Sequence, residues 1–177
     1  MKKTLRIASI AFVALIALLF VFYLLKNEKE PEGQTGPEAD ELAMKMMESL
    51  NYEAWQNTTH IGWTFKGIHH YEWNRQEHIV NVQWDEHEVI LNPTDKSGIV
   101  QSGENYSSQQ INELIETAWN FFNNDSFWLC APFKAFDPGT ERSIVQLKDG
   151  RQGLKVTYTS GGSTPGDSYV WILDENY

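Results

Sequence analysis

Residues 59–92, THIGWTFKGIHHYEWNRQEHIVNVQWDEHEVILN, decide the fold. Apolar side chains recur at every second position in four short runs: Ile61, Trp63 and Phe65; Tyr71 and Trp73; Val80, Val82 and Trp84; Val89 and Leu91. Successive side chains of a strand point to opposite faces, so this alternation predicts four strands, each with one buried side. His69 falls in register with the second run and His78 with the third. Gly67, Asn74-Arg75-Gln76 and Asp85-Glu86 separate the runs. Links that short favour antiparallel pairing, because parallel strands need a long crossover. Tryptophans at 63, 73 and 84 make the buried side bulky and aromatic.

Downstream, the spacing predicts a helix over Ser107–Asn123. Ile111, Leu114, Ile115, Ala118, Phe121 and Phe122 form one wide apolar stripe. Ser107 with Gln110 is a capping-box pattern at the start, and Asn123-Asn124-Asp125 is expected to stop the helix. The stripe needs a partner, and the aromatic sheet face is available. Asn92-Pro93-Thr94-Asp95-Lys96-Ser97-Gly98 reads as a loop of turn formers. The apolar run from Ser126 to Lys134 reads equally as a buried strand or a short helix. Ser143–Leu147, the alternating Leu154, Val156 and Tyr158, and the alternating Tyr169, Trp171 and Leu173 predict further strands, with Asp149-Gly150 as a hairpin turn. Upstream, Leu42, Met46 and Leu50 mark a helix over Glu38–Tyr52, in which Met44, Met46 and Met47 fill gaps in a core. The expected fold class is α+β: a curved antiparallel sheet, as an incomplete barrel, covered by helices.

Ahead of this domain, Ile7–Leu25 is a run of 19 residues in which Ser9 is the polar exception. As a helix it extends about 28 Å at ~1.5 Å per residue, close to the ~30 Å hydrocarbon core of a bilayer. A secretory signal has a shorter apolar stretch and small residues at its cleavage site. Here the run ends Phe22-Tyr23-Leu24-Leu25-Lys26, which favours an uncleaved anchor (residues 1–25) over a cleaved signal. Lys2, Lys3 and Arg6 precede the span, a bias that places the N-terminus inside and the rest outside the cytoplasm. The expected arrangement is a single-pass membrane anchor with the domain on the extracytoplasmic side. Residues 26–37, with Pro31, Gly33, Gly36 and Pro37, read as an extended linker, and residues 38–177 as the folded domain.

The net charge is −10, and without the three leading basic residues the remaining 11 basic and 24 acidic residues leave −13. Such a surface repels phosphate backbones, so nucleic acid is excluded as a partner. Cys130 is the single cysteine, so the chain holds no internal disulfide and no thiolate cluster. In its apolar run it reads as an inert buried thiol, not as a nucleophile paired with a histidine. His60, His69, His70, His78 and His87 all fall within the four-strand group. They lack HxH or HExxH spacing, so satisfied or solvated strand histidines are favoured over a metal site. Asp167, Asp174 and Glu175 weigh as a carboxylate pair or calcium site against ordinary turn residues, and the turn is favoured. No motif calls for a cofactor, and none identifies an enzyme. Asn57-Thr58-Thr59 matches a glycosylation triplet.

The aromatics remain. Trp63, Trp73, Trp84 and Trp171 stand at alternating strand positions, and they either fill a solid core or enclose an apolar pocket. In the pocket reading the lining is Trp63, Phe65, Val82, Trp84, Ile111, Leu114, Ile115 and Phe122, and the ligand is a lipid or other apolar molecule. In the other reading the chain is a protein-interaction or structural domain with an unknown protein partner.

The order helix, antiparallel strands, helix, antiparallel strands resembles the LolA/LppX-like lipoprotein-carrier superfamily, and in particular its bacterial members of the Bacteroidetes type. Trp63-Thr64-Phe65 carries the resemblance. So do Pro132-Phe133-Lys134 before Asp137-Pro138-Gly139, and Thr164-Pro165-Gly166-Asp167 before Tyr169-Val170-Trp171-Ile172-Leu173-Asp174. It implies an incomplete antiparallel barrel closed by helices around an apolar cavity. The arginine that latches the lid of the soluble carrier has no counterpart in matching context among Arg75, Arg142 and Arg151.

Overall fold

The computed structural model describes residues 2–27, 30–101, 105–161 and 164–174. The chain divides into two compact units, Met1–Glu32 and Gly33–Tyr177. The first is a single helix, α1 (Lys2–Lys26), long and apolar enough over Ser9–Lys26 to cross a membrane. A signal sequence near an N-terminus can also be long and apolar enough to do so.

The second unit is α+β. In chain order it runs β1 (Gly33–Thr35), α2 (Pro37–Ser49), α3 (Tyr52–Asn57), β2 (His60–Phe65), β3 (His69–Asn74), β4 (Ile79–Trp84), β5 (His87–Asn92) and β6 (Ser97–Val100). Then come α4 (Ser108–Cys130), a 3-10 turn (Ala131–Lys134), β7 (Thr140–Gln146), β8 (Gln152–Tyr158) and β9 (Ser168–Ile172). Hydrogen bonds sort the described strands into two antiparallel sheets, β2-β3-β4-β5-β6 and β1-β7-β8-β9, and neither closes into a barrel.

The first sheet pairs as the alternation predicts. Trp63 stands opposite Tyr71, Tyr71 opposite Val82, and Val82 opposite Val89, so one row of inward side chains crosses four strands. His78 departs from the pattern. It sits at φ 56 just before β4, in the turn and not on the buried face. The sheet also has a fifth strand where a loop was expected. Asn92 and Asp95 accept hydrogen bonds from the backbone N–H groups of Thr94 and Ser97, which closes the turn and frees Ser97–Val100 to pair with β5. Four residues are too few to show alternation.

Three boundaries differ for identifiable reasons. The expected linker 26–37 gives up Gly33–Thr35, which pairs with Ser143–Val145 of β7. A Cβ on Gly33 would stand 2.1 Å from Ser143 Oγ, so glycine is what lets the two strands approach. The upstream helix is broken at Asn51, whose left-handed backbone (φ 60) ends one helix while its side chain accepts from Ala54 N–H to start α3. And α4 runs through Asn123-Asn124-Asp125 to Cys130 instead of stopping. Asp125 there is 1% exposed and hydrogen-bonded to the sheet, so a tertiary contact overrides a local stop signal.

Two apolar clusters hold the unit together. In one, Tyr71, Val80, Val82, Trp84, Val89 and Leu91 of the first sheet pack on Ala118 and Phe122 of α4. In the other, Ala43, Met46 and Met47 of α2 pack on Leu154 and Val156 of β8, with Trp171 partly buried against them. The four tryptophans therefore divide, Trp63, Trp73 and Trp84 going to the first cluster and Trp171 to the second. Helix α4 touches both sheets: Phe121 meets Trp84 edge-on at 5.6 Å, and Phe127 meets Tyr169 at 4.7 Å.

Candidate functional site: two aromatic cavities beside the end of α4

The residues expected to line a pocket lie together between α4 and the first sheet. Val82, Trp84 and Phe122 are buried there, with Trp63, Phe65, Leu114 and Ile115 packed around them and Ile111 half-buried on the same helix. Side chains fill this layer: Trp63 stacks on Tyr71 at 4.3 Å, and Trp73 meets Phe122 edge-on at 5.1 Å.

The same layer contains a polar knot. Asp125 Oδ2 accepts hydrogen bonds from the Tyr71 hydroxyl and from His69 Nδ1, both at 2.6 Å, and Asp125 Oδ1 accepts from Asn124 Nδ2 at 2.7 Å. The imidazole stacks on Phe121 at 4.0 Å. A buried carboxylate is tolerable only when its lone pairs are satisfied, as they are here. Burial, and then the adjacent Asp125, push the Tyr71 phenol well above its ordinary pKa, so it remains a donor.

Two cavities lie elsewhere, on either side of the segment that follows α4. One is a cleft of about 530 Å³ bordered by α3, the end of β3 and the 3-10 turn. Trp55 stacks on Phe133 (4.8 Å, 7°) and meets Trp73 edge-on at 6.4 Å, which gives the cleft an aromatic floor. The Arg75 guanidinium lies 4.1 Å from the Trp55 ring centroid, and its Nη1 donates to the carbonyls of Trp55 and Thr58. The other cavity, about 160 Å³, lies between the C-terminal part of α4 and β8–β9, with Asn123, Phe127, Trp128, Tyr158 and Tyr169 among its walls. Lys134 and Asp137, an ion pair at 3.2 Å, line both.

Sequence reasoning pointed to neither space as a site. Trp55, Arg75 and Phe133 lie far apart in the chain, and only the folding back of the segment after α4 assembles them. A partial signal existed in the stretches that carry the family resemblance. Lys134, Asp137, Pro138, Thr164, Asp167 and Tyr169, all from those stretches, meet around the smaller cavity.

The other candidates resolve individually. Cys130 is buried, its thiol donates to the Ser126 carbonyl (3.0 Å), and burial lifts its pKa to about 11, which suits an inert thiol. His60 bonds to Thr59, His70 to Thr64 and His87 to Tyr106, so the histidines disperse. Among the described residues no group of three or more His, Cys, Asp or Glu is placed to hold a metal. Glu175, weighed with Asp167 and Asp174 as an acidic site, lies outside the described residues. No family model, curated protein or solved structure matches the chain.

Proposed function

We propose that the chain is a membrane-tethered, extracytoplasmic module that holds a lipid or other apolar ligand. The observation that carries this reading is the aromatic cleft of Trp55, Trp73 and Phe133, whose volume of about 530 Å³ falls within the ~300–1,000 Å³ usual for small-molecule sites. An apolar chain gains about 0.8 kcal/mol per buried CH₂, so ten methylenes contribute on the order of 8 kcal/mol before ordering costs. Arg75 stands at the same cleft, where Lys134 is paired with Asp137, and it suits a ligand with a polar head. Helix α1 is the tether, inserted with its basic N-terminal end inside, so that the domain faces the periplasm of a bacterial cell. The two sheets are sections of one incomplete, curved barrel wrapped on α4, in keeping with the LolA/LppX-like resemblance. Titration of the full chain with a fluorescent fatty acid tests the reading. Saturable binding, weakened about tenfold by Trp55→Ala, supports it, and no saturable binding at any concentration sinks it.

A second reading is favoured by the filled layer between α4 and the first sheet. Trp63, Trp73, Trp84 and Phe122 are then structural only, and the module recognises a protein partner. This reading expects no uptake of any apolar molecule.

A further inference from the structure

The smaller cavity is walled by aromatic rings set across one another. Phe127 and Trp128 come from the C-terminal part of α4, Tyr158 from the end of β8 and Tyr169 from β9. Tyr169 stands at 89° to Trp128 and at 79° to Tyr158, with 6.1 Å between ring centroids in each pair, and Phe127 stands at 82° to Tyr158. Rings crossed at such angles do not stack face to face, which leaves π faces for a guest in the space they line. Trp128 is 60% exposed, although the large indole is highly buried in most folded proteins. An exposed tryptophan among other rings at the lip of a cavity marks surface that a ligand covers.

Charge and size narrow the guest. The charged residues on the lining are Lys134, Asp137 and Asp167. Lys134 pairs with Asp137 at 3.2 Å, while among the described residues Asp167 has no cationic partner. Both carboxylates lie near the rings: after burial, Asp137 raises the pKa of the Tyr158 phenol and Asp167 that of Tyr169. Two carboxylates against one amine leave the lining negative, which opposes an anion and draws a cation. The face of an aromatic ring is itself negative and attracts a cation placed over it. A metal ion is poorly served, because among the described residues no group of three or more His, Cys, Asp or Glu converges. A methylated ammonium is weakly hydrated, so it enters among rings at less cost than an ammonium that gives up hydrogen bonds to water. The volume is about 160 Å³, and an apolar cavity of about 150 Å³ holds one benzene, a molecule close in size to a trimethylammonium group.

We infer that this cavity is a binding site distinct from the larger cleft, and that it takes a quaternary ammonium group, with the four rings as its cage and Asp167 as its counter-charge. Two sources share that chemistry, a free trimethylammonium compound and the choline head of a lipid. The site stands independently of the apolar ligand proposed for the larger cleft, because fatty-acid binding and choline binding succeed or fail separately.

NMR on the full chain in tetraethylene glycol monooctyl ether micelles tests it, with the tryptophans isotopically labelled and the Trp128 indole N–H signal identified through Trp128→Phe. Choline is expected to shift that signal saturably, while its uncharged carbon analogue dimethylbutanol needs about tenfold more, the worth of the cation–π contact. Asp167→Asn is expected to raise the half-saturating choline concentration about threefold, and Lys134→Met, which frees the Asp137 carboxylate, to lower it by a similar factor. The two opposite shifts keep the test sound should one variant misfold. Glycerophosphocholine separates the sources: tighter binding than choline assigns the site to a lipid head, weaker binding to a free compound, and either order sustains the inference. It is overturned if choline does not shift the signal, or if sodium chloride at matched concentration shifts it equally. It is equally overturned if dimethylbutanol binds as tightly as choline, or if Asp167→Asn and Lys134→Met both leave the half-saturating concentration unchanged.

Discussion

The Tyr71 hydroxyl and the Asp125 carboxylate meet at 2.6 Å, across 54 residues of sequence. With His69 on the same oxygen, this contact clamps β3 to α4 and explains why the helix continues past its expected stop. Charge-assisted hydrogen bonds contribute about 1.5–3 kcal/mol each. Asp125→Ala orphans two buried donors, so it is expected to cost about 3 kcal/mol, with Asp125→Asn costing less. Chemical denaturation measures both, and an unchanged midpoint for Asp125→Ala contradicts the clamp.

Alkaline pH is expected to weaken the fold. Tyr71 and Tyr158 both have pKa values raised in the folded state, chiefly by burial and then by Asp125 and Asp137 respectively. The stability tied to a raised pKa is fully present below the unfolded value, about 10 for tyrosine, and is lost as pH rises above it. Denaturation midpoints measured from pH 8 upward should begin to fall near pH 9, where the unfolded-state thiol of Cys130 ionises while the buried one does not, and fall further above about pH 10 as the two phenols join it. Tyr71→Phe should flatten part of that fall. A midpoint independent of pH in this range runs against the placement of the two phenols.

Cys130 should behave as a buried thiol. Its pKa near 11, raised by desolvation, leaves little thiolate at neutral pH. A thiol reagent at pH 8 should label the native chain far more slowly than the unfolded chain. Equal rates would place the sulfur at the surface.

Gly139 holds the turn before β7 at φ +83, with Ser160 packed on it. A Cβ there would come within 2.6 Å of the Ser160 backbone carbonyl oxygen. Gly139→Ala is therefore expected to destabilise by at least about 1–2 kcal/mol, from positive-φ strain with a clash added. By contrast Gly67 is also at positive φ but has open space around it, so Gly67→Asn should be tolerated. Thermal unfolding of the pair of variants checks the contrast.

Much of the first sheet was legible because period-2 alternation is a local signal. Ile61, Trp63 and Phe65 announce their strand without reference to anything distant. The apolar stripe from Ile111 to Phe122 likewise announced the helix, and its Ser107–Gln110 capping box forms as the spacing predicts. The rest depends on contacts that sequence does not show. Asn123-Asn124-Asp125 looks like a stop until Tyr71 and His69 are seen to engage Asp125. Gly33–Thr35 looks like linker until Ser143 is seen beside Gly33. The two cavities are assembled from α3, β3, the end of α4 and β8–β9, elements whose proximity is a product of the fold and not of any local pattern.

The most direct test of the account is native mass spectrometry of the full chain extracted from membranes. The account predicts a population carrying the added mass of a lipid, lost in Trp55→Ala and diminished in Arg75→Ala. A chain recovered only in its unliganded mass, with and without added lipid, would contradict the claim that the cleft between Trp55, Trp73 and Phe133 holds an apolar ligand.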